Sequence, residues 1–516
     1  MSVWIKLILL TLTLSFTLNA NAHSSSTINH SSGTLPVVHI DTADGAAITS
    51  KEVYVTASMY IEGASLMKLM NDEERAMNNS SGGLASADNP ILMKIRGRGN
   101  WTWEGFEKKP YKVKFSTPMS VLGMAENRHW ALMSHPDDGT GFLRNALAFE
   151  MGRMIGLPFT PHQQPVEMVL NGEYVGVYVV TETVRVDPGR VEIVGQEDGE
   201  TDEEKVKGGW LVEIDNYEDV NQISFDVTGL PIDEFRITWH TPEMLSSVQY
   251  DYLYGQFSDI LDCVYTPDKS SQQWEDYLDI DMLARYYVVA EIIDHVEAFF
   301  GSTFLYKASA DGKWMTGPLW DIGHGLNGWH DKNKFIYEGL SWGNNLLTEI
   351  CKFPRFQERV KQIYAQFMRE HSEEIFDFVD SYCAMMNDAY HANYLRWNYY
   401  GDISGSQYAE SAKQTLRSKI AFLDKAWGRE TKISASLMNG EERTMNNSSF
   451  TNHYSSGQRP LAVYDLQGRK VVQRMNTDRH GKGTSTLNTP LSSLLSPLST
   501  LKPGIYILNG KKIMIR

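Results

Sequence analysis

Between residues 286 and 327 the chain reads YYVVAEIIDHVEAFFGSTFLYKASADGKWMTGPLWDIGHGLN, and no other stretch limits the fold as much. An apolar run, residues 286–293, has to be buried as a helix or a strand. It breaks at a polar knot of Asp294, His295 and Glu297, ahead of a second hydrophobic segment at 303–306. A turn at Asp311-Gly312 follows, then a strand-like run ending in Trp320-Asp321. Acidic side chains at the ends of buried elements are where a rigid scaffold can hold them together. Two carboxylates separated by a hairpin, one a base and one a divalent-metal ligand, are what phosphoryl transfer needs. On residue types alone, Glu297 and Asp321 serve equally well as caps of turns at the ends of core strands.

Ahead of this stretch the signals are mainly those of strands. Residues 35–40 read as a short strand, with Pro36 confining it to a sheet edge or a strand start. Further strands are expected at 52–61, 91–97, 111–115 and 211–215. Residues 166–170, Asn171-Gly172 and residues 174–180 make a hairpin, because Asn-Gly favours the type I′ turn. A helical period runs over 141–155 and stops at Gly156-Leu157-Pro158. The acidic run 196–204 reads as an exposed loop, and residues 243–427 are mainly helical. Strands first and helices after make the class α+β.

The length of 516 residues allows two to four domains, or one large domain with appendages. The net charge of −16 argues against nucleic acid as a general partner, since phosphate backbones select basic surfaces. Residues 1–22 have one Lys near the start, an apolar core and an Ala20-Asn21-Ala22 site, the pattern of a secretory signal peptide. No later stretch is long enough to cross a bilayer. Cys263, Cys351 and Cys383 are widely spaced and odd in number, which implies neither a disulfide framework nor a zinc site. Residues 23–34 form a polar linker. Residues 64–90 form a solvated insertion, whose 65–67 and 71–81 recur in part as 436–449. A polar linker at 429–458 leads to a small β-domain at 459–516.

Several segments carry residues suited to phosphate chemistry. Arg96-Gly97-Arg98-Gly99-Asn100 follows a strand, so its glycines permit close backbone approach and its arginines bidentate phosphate contacts; a tight β-turn is the plainer reading. Lys112 and Lys114 share one face of the next strand, opposite Val113 and Phe115. A strand lysine beside a Gly-rich turn grips nucleotide phosphates in kinases, although a basic outer face has the same pattern. Glu182 ends the hairpin strand, where it can pair with such a lysine. Arg144-Asn145 opens the helix after Asp137-Asp138, a position suited to anion binding or to an internal salt bridge. Glu213 and Asp215 lie on one face of their strand.

These segments, RGRGN, KKPYKVKF, LRNALAFEMGR, LNGEYVGVYVVTE, GGWLVEIDNY and STFLYK…GPLWD, resemble in their order the CotH family. Its members are secreted or spore-coat proteins, several of them atypical kinases acting on Ser-rich proteins. The resemblance covers residues 35–428. It implies a divergent protein-kinase-like fold that uses ATP and Mg²⁺ on an extracytoplasmic protein substrate. It further implies Lys112 or Lys114 as the nucleotide lysine, Glu182 as its supporting acid, and Asp321 as the metal ligand. Arg96, Arg98 and Arg144 are the accompanying candidates for the nucleotide. Glu297 stands where the family carries a catalytic Asp; one extra methylene displaces the base by roughly 1 Å, which in positioning-limited chemistry costs on the order of 100-fold. In an extended segment, Asp294 would need a register shift to replace it. Gly323 stands where the family's W-D-x-D motif has its second Asp. Two functions remain in view: a secreted kinase, and a catalytically impaired surface protein with a binding or structural role.

The tail, LAVYDLQGRKVVQ followed by LKPGIYILNGKKIMIR, resembles the C-terminal sorting domain of the type IX secretion system of Bacteroidetes. That resemblance implies passage through the periplasm to the cell surface or beyond, with the type IX machinery as a partner.

Overall fold

In the computed structural model the chain divides into two units, Met1–Gly440 and Glu441–Arg516. The residues described are 35–63 and 86–429, together with the backbone of 463–465, 504–508 and 511–515. The expected leader at 1–22, the expected linker at 23–34 and both copies of the duplicated segment lie outside them.

Period-two alternation builds the first architecture. Strands β1 (Val37–Thr42), β2 (Val55–Glu62), β3 (Ile91–Gly97), β4 (Tyr111–Met119), β5 (Asn127–Met133), β6 (Gln163–Leu170) and β7 (Glu173–Glu182) close into a barrel of order β1-β2-β3-β4-β5-β7-β6. The closing pair is parallel, β1 on β6, and the neighbours on either side of it are antiparallel. Pro36 directly precedes β1, and closure leaves that strand no free edge. The β6–β7 turn has Asn171 and Gly172 both at positive φ, the backbone that an Asn-Gly hairpin adopts.

Alternate residues of β7 enter two different cores. Tyr178 and Val180 fill the barrel with Val113, Phe115 and Trp130. Val177 and Val179 face outward into the larger core, against α2 (Leu143–Met154). A short helix, α1 (Trp101–Gly105), separates β3 from β4.

The larger core also holds a five-stranded sheet of order β12-β11-β8-β10-β9. Its members are β8 (Trp210–Ile214), β9 (Gln222–Ser224), β10 (Arg236–Thr241), β11 (Thr303–Lys307) and β12 (Met315–Thr316). Around it lie α3 (Ser247–Val264), α4 (Ile280–Ile293), α5 (Leu346–Ile350), α6 (Pro354–Met385), α7 (Asn387–Trp397) and α8 (Gly405–Trp427). The apolar run at 286–293 is therefore helical. Its one charged residue, Glu291, is buried with the rest and pairs with Lys419 of α8, because the helix is packed on nearly every side by α2, α6 and α8. Asp279 caps it, accepting from the N–H groups of Asp281 and Met282.

The strand-like run expected to end at Trp320-Asp321 is strand only at Met315–Thr316; the chain then turns irregularly, with Asp321 at φ 51°. All three cysteines are free thiols. No described helix is long and apolar enough to cross a membrane. In the second unit, β13 (Val463–Asp465), β14 (Gly504–Leu508) and β15 (Lys511–Ile515) form an antiparallel three-stranded sheet.

Candidate active site

Four segments of the first unit converge. They are the β3–α1 turn, the loop before α2 with its first turn, the turn after α4, and the irregular segment after β12. The last is tied to α2 by a hydrogen bond from the Ile322 N–H to Asn145 Oδ1, 2.9 Å. That bond fixes the backbone between Asp321 and Gly323. The Gly323 N–H donates in turn to the Asp321 carbonyl at 2.7 Å.

A Cβ on Gly323 would lie 3.5 Å from Glu297 Oε2 and 3.8 Å from Asp321 Oδ1. The two candidate carboxylates thus flank one point, although 23 residues and a hairpin separate them in sequence. Asp321 opens onto solvent, yet enough protein surrounds it to raise its pKa to about 6. Burial is the main cause; Glu297 and Asp137 add to it, and Arg98 and Arg144 oppose it. Glu297 moves the other way. Burial pushes its pKa up, but the hydrogen bond and charge of His324, with His295 and Arg144, bring it below the ordinary value. His324 Nε2 stands 3.1 Å from Glu297 Oε1, and that bond raises the imidazole's pKa.

The cations sit opposite. Arg98, on the Gly-rich turn, has its guanidinium 5.8 Å from the Trp320 ring centroid, and Asp321 is the largest charge opposing its burial. Gly97 beside it has no room for a side chain, since a Cβ would fall 2.3 Å from the Trp103 ring. Lys112 and Lys114 do share the outer face of β4, but their surroundings differ. Lys114 is exposed; Lys112 is half-buried, and its pKa falls to about 8 through burial and then through Arg96, Arg185, Arg98 and Lys114. No described carboxylate pairs with Lys112. Arg144 is buried at the start of α2, with Asp138 at 3.4 Å and Asp137 at 3.7 Å, the internal salt bridge of the two roles considered for it. Arg96 lies over the Tyr54 ring and 3.6 Å from Glu52.

Glu182 differs from expectation. Its side chain points into the barrel wall and takes Arg190 Nη1 at 2.7 Å and the His162 N–H at 2.8 Å, not a β4 lysine. The cause is parity: in β7, Glu182 faces inward with Val180 and Tyr178, whereas Lys112 faces outward from β4. Asp294 was expected in an extended segment. It is instead the left-handed C-cap of α4, fully buried and bound by His330, Lys332 and Lys419. Glu213 is paired with His240 at 2.7 Å, while Asp215 has its pKa raised to about 6 by burial, then by Glu213, with Asp321 adding to it. Asp137 joins the site beside Arg144, whereas His324 joins it without a sequence signal strong enough to single it out. His324 follows Gly323 directly, so the only cue was a titratable residue one place beyond a missing acid.

Among the described residues, no group of three or more His, Cys, Asp or Glu side chains forms a ready-made metal cage. A magnesium ion carried by nucleotide phosphates asks less, one or two protein carboxylates with water and phosphate filling the other positions. A solvent-facing Asp321 of raised pKa, with unpaired Lys112 and with Arg98 close by, is chemically suited to such a complex.

A family model described as CotH kinase protein matches residues 95–418, which run from the end of β3 into α8. No curated protein matches the chain.

Proposed function

The chain belongs to the CotH kinase protein family, and we propose that it is an atypical protein kinase acting on Ser or Thr of an extracytoplasmic protein. The observation that carries this reading is the flanking of one point by Glu297 and Asp321, with Arg98 close by. When bound, Mg·ATP supplies the transferable γ-phosphoryl group and the charge neutralisation that transfer needs. Asp321 holds the metal. Arg98 and Lys112 take phosphate oxygens, Lys112 in preference to the exposed Lys114. Glu297 orients the acceptor hydroxyl and accepts its proton, and its lowered pKa keeps it ionised for that task at neutral pH. Arg144 holds Asp137 and Asp138 in place behind the site. The leader-like residues 1–22 and the sorting-domain resemblance of the tail support an address outside the cytoplasm.

A second reading rests on His324. Glu297 is already engaged by that imidazole, and Gly323 contributes no further carboxylate. A protein in this state would bind nucleotide without turning it over. The test is phosphate transfer from labelled Mg·ATP by the purified protein, beside Glu297→Gln, Glu297→Asp and Asp321→Asn. Transfer that is lost in the Gln and Asn variants supports the kinase. An inactive wild type rescued by Glu297→Asp supports the impaired form, and no transfer or nucleotide binding in any variant sinks both.

A further inference from the structure

The outer face of the barrel carries more positive charge than a nucleotide needs. In the β3–β4 register Arg96 is directly opposite Lys112, and Lys94 directly opposite Lys114. His129 and Ala131 of β5 extend the two rows. Directly opposed like charges on neighbouring strands repel and destabilise the sheet. Here two such pairs follow one another, in a chain whose net charge is −16. Acids are abundant elsewhere, yet none of Lys94, Lys112 and Lys114 has an acidic partner among the described residues. Two described acids do pair with arginines here, Glu52 with Arg96 and Asp187 with Arg185 at 3.1 Å.

The two rows have different neighbours. The inner row, Arg96 and Lys112, adjoins Arg98 and the cleft. The outer row lies two residues along each strand, about 7 Å away, and is open to solvent at both lysines. That step is also the distance between alternate side chains of an extended chain. His129 reports the field of this row: burial first, then Arg185, Lys112 and Lys114, bring its pKa down to about 4.

We propose that the outer row, Lys94 and Lys114 with Arg185 beside it, is a docking surface for an acidic polypeptide segment flanking the acceptor Ser or Thr. The inner row and Arg98 serve the nucleotide, so the substrate class rests on the kinase reading given above. Charge complementarity selects the partner, and the spacing of the rows favours an extended segment with carboxylates on alternate residues.

The experiment uses the full chain and three labelled peptides of equal length around a central Ser, flanked by Glu, Gln or Lys, read by fluorescence anisotropy. The Glu peptide should bind about tenfold tighter than the Gln peptide at low salt, the preference shrinking severalfold as screening rises. Lys94→Glu should weaken the Glu peptide about fivefold, the size expected when one exposed ion pair is replaced by a repulsion of similar strength. It should leave the Gln peptide and the Mg·ATP thermal shift unchanged. Lys94→Glu/Lys114→Glu should abolish the preference. Equal binding of Glu and Gln peptides, or a preference that survives the double variant, overturns the proposal. So does a preference that emerges only after residues 64–85 are replaced by a short Gly-Ser linker, which would assign the face to the chain's own Asp72-Glu73-Glu74. A Mg·ATP shift without acidic preference defeats the docking surface alone. Acidic preference without any Mg·ATP shift defeats the kinase reading and leaves an acidic-peptide binding face.

Discussion

Asp321→Asn separates a carboxylate kept for a ligand from one kept for the fold. The folded-state pKa of Asp321 is about 6 against an ordinary 3.8, so folding takes up a proton between those values. An acid raised in this way costs the native state nothing below about pH 4, a growing amount through pH 4–6, and a constant amount above. At full value a rise of two units is ~3 kcal/mol. The carboxylate is open to solvent, so screening reduces this to about 1 kcal/mol. Asparagine keeps the shape and removes the charge. The variant should therefore match wild type at pH 4 and melt higher at pH 7, by about 1–2 °C for a unit of this size.

Ligand should reverse the order. Saturating Mg·ATP stabilises a binding-competent protein by ~2.7 kcal/mol at a hundredfold excess over Kd, and the variant should gain almost none of it. Thermal melts at pH 4, 5, 6 and 7, with and without Mg·ATP, read both effects. An Asn variant that melts lower than wild type at pH 7 without ligand would refute the reasoning, since Asp321 would then be a structural partner of Arg98.

Other perturbations test the surroundings. Gly323→Asp would put a third carboxylate at the point flanked by Glu297 and Asp321; the melting temperature should drop in EDTA and rise with Mg²⁺ more than wild type does. Lys419 lies fully buried between Glu291 at 2.8 Å and Asp294 at 3.2 Å, so Lys419→Met should cost about 3–5 kcal/mol in urea denaturation, with Glu291→Gln/Lys419→Met recovering part of it. Gly97→Ala drives a methyl into the Trp103 ring and should lose about 1–3 kcal/mol, visible as a changed tryptophan emission and a lower melting temperature.

The sequence made the strands of the barrel legible because one face of each is buried and alternation survives. Residues 91–97 were bounded as observed, and Asn171-Gly172 marked its hairpin. Closure was not legible. It depends on β1 pairing with β6 across more than a hundred residues, and no local pattern records a parallel partner. The run at 286–293 gave burial without type, since a helix surrounded by α2, α6 and α8 loses its polar stripe and with it the period. At the site, Glu297 and Asp321 were visible as acids closing apolar segments. Glu182 was misread because its strand was placed correctly but its parity relative to Lys112 passes through β5, a strand the pattern did not announce.

Asp294 and Glu297 show why spacing alone could not divide the acids between fold and chemistry. They are three residues apart and both follow a buried helix. Asp294 occupies the left-handed position that ends α4, and this turns its carboxylate back into the protein. There burial pushes its pKa up, but His330, Lys419 and Lys332 outweigh it and hold the group ionised. A charge so enclosed has no free oxygen to offer a substrate, and taking it away would strand Lys419. Past that cap the chain turns through His295, and the Glu297 carbonyl accepts from the Phe300 and Gly301 N–H groups, which leaves its side chain directed at the cleft and at His324. The anchored acid therefore fixes the start of the turn that presents the half-buried Glu297 to the cleft. A register shift that brought Asp294 into the cleft would have to break three charged contacts and unwind the end of α4. The longer Glu297 is accordingly the acid this fold can supply.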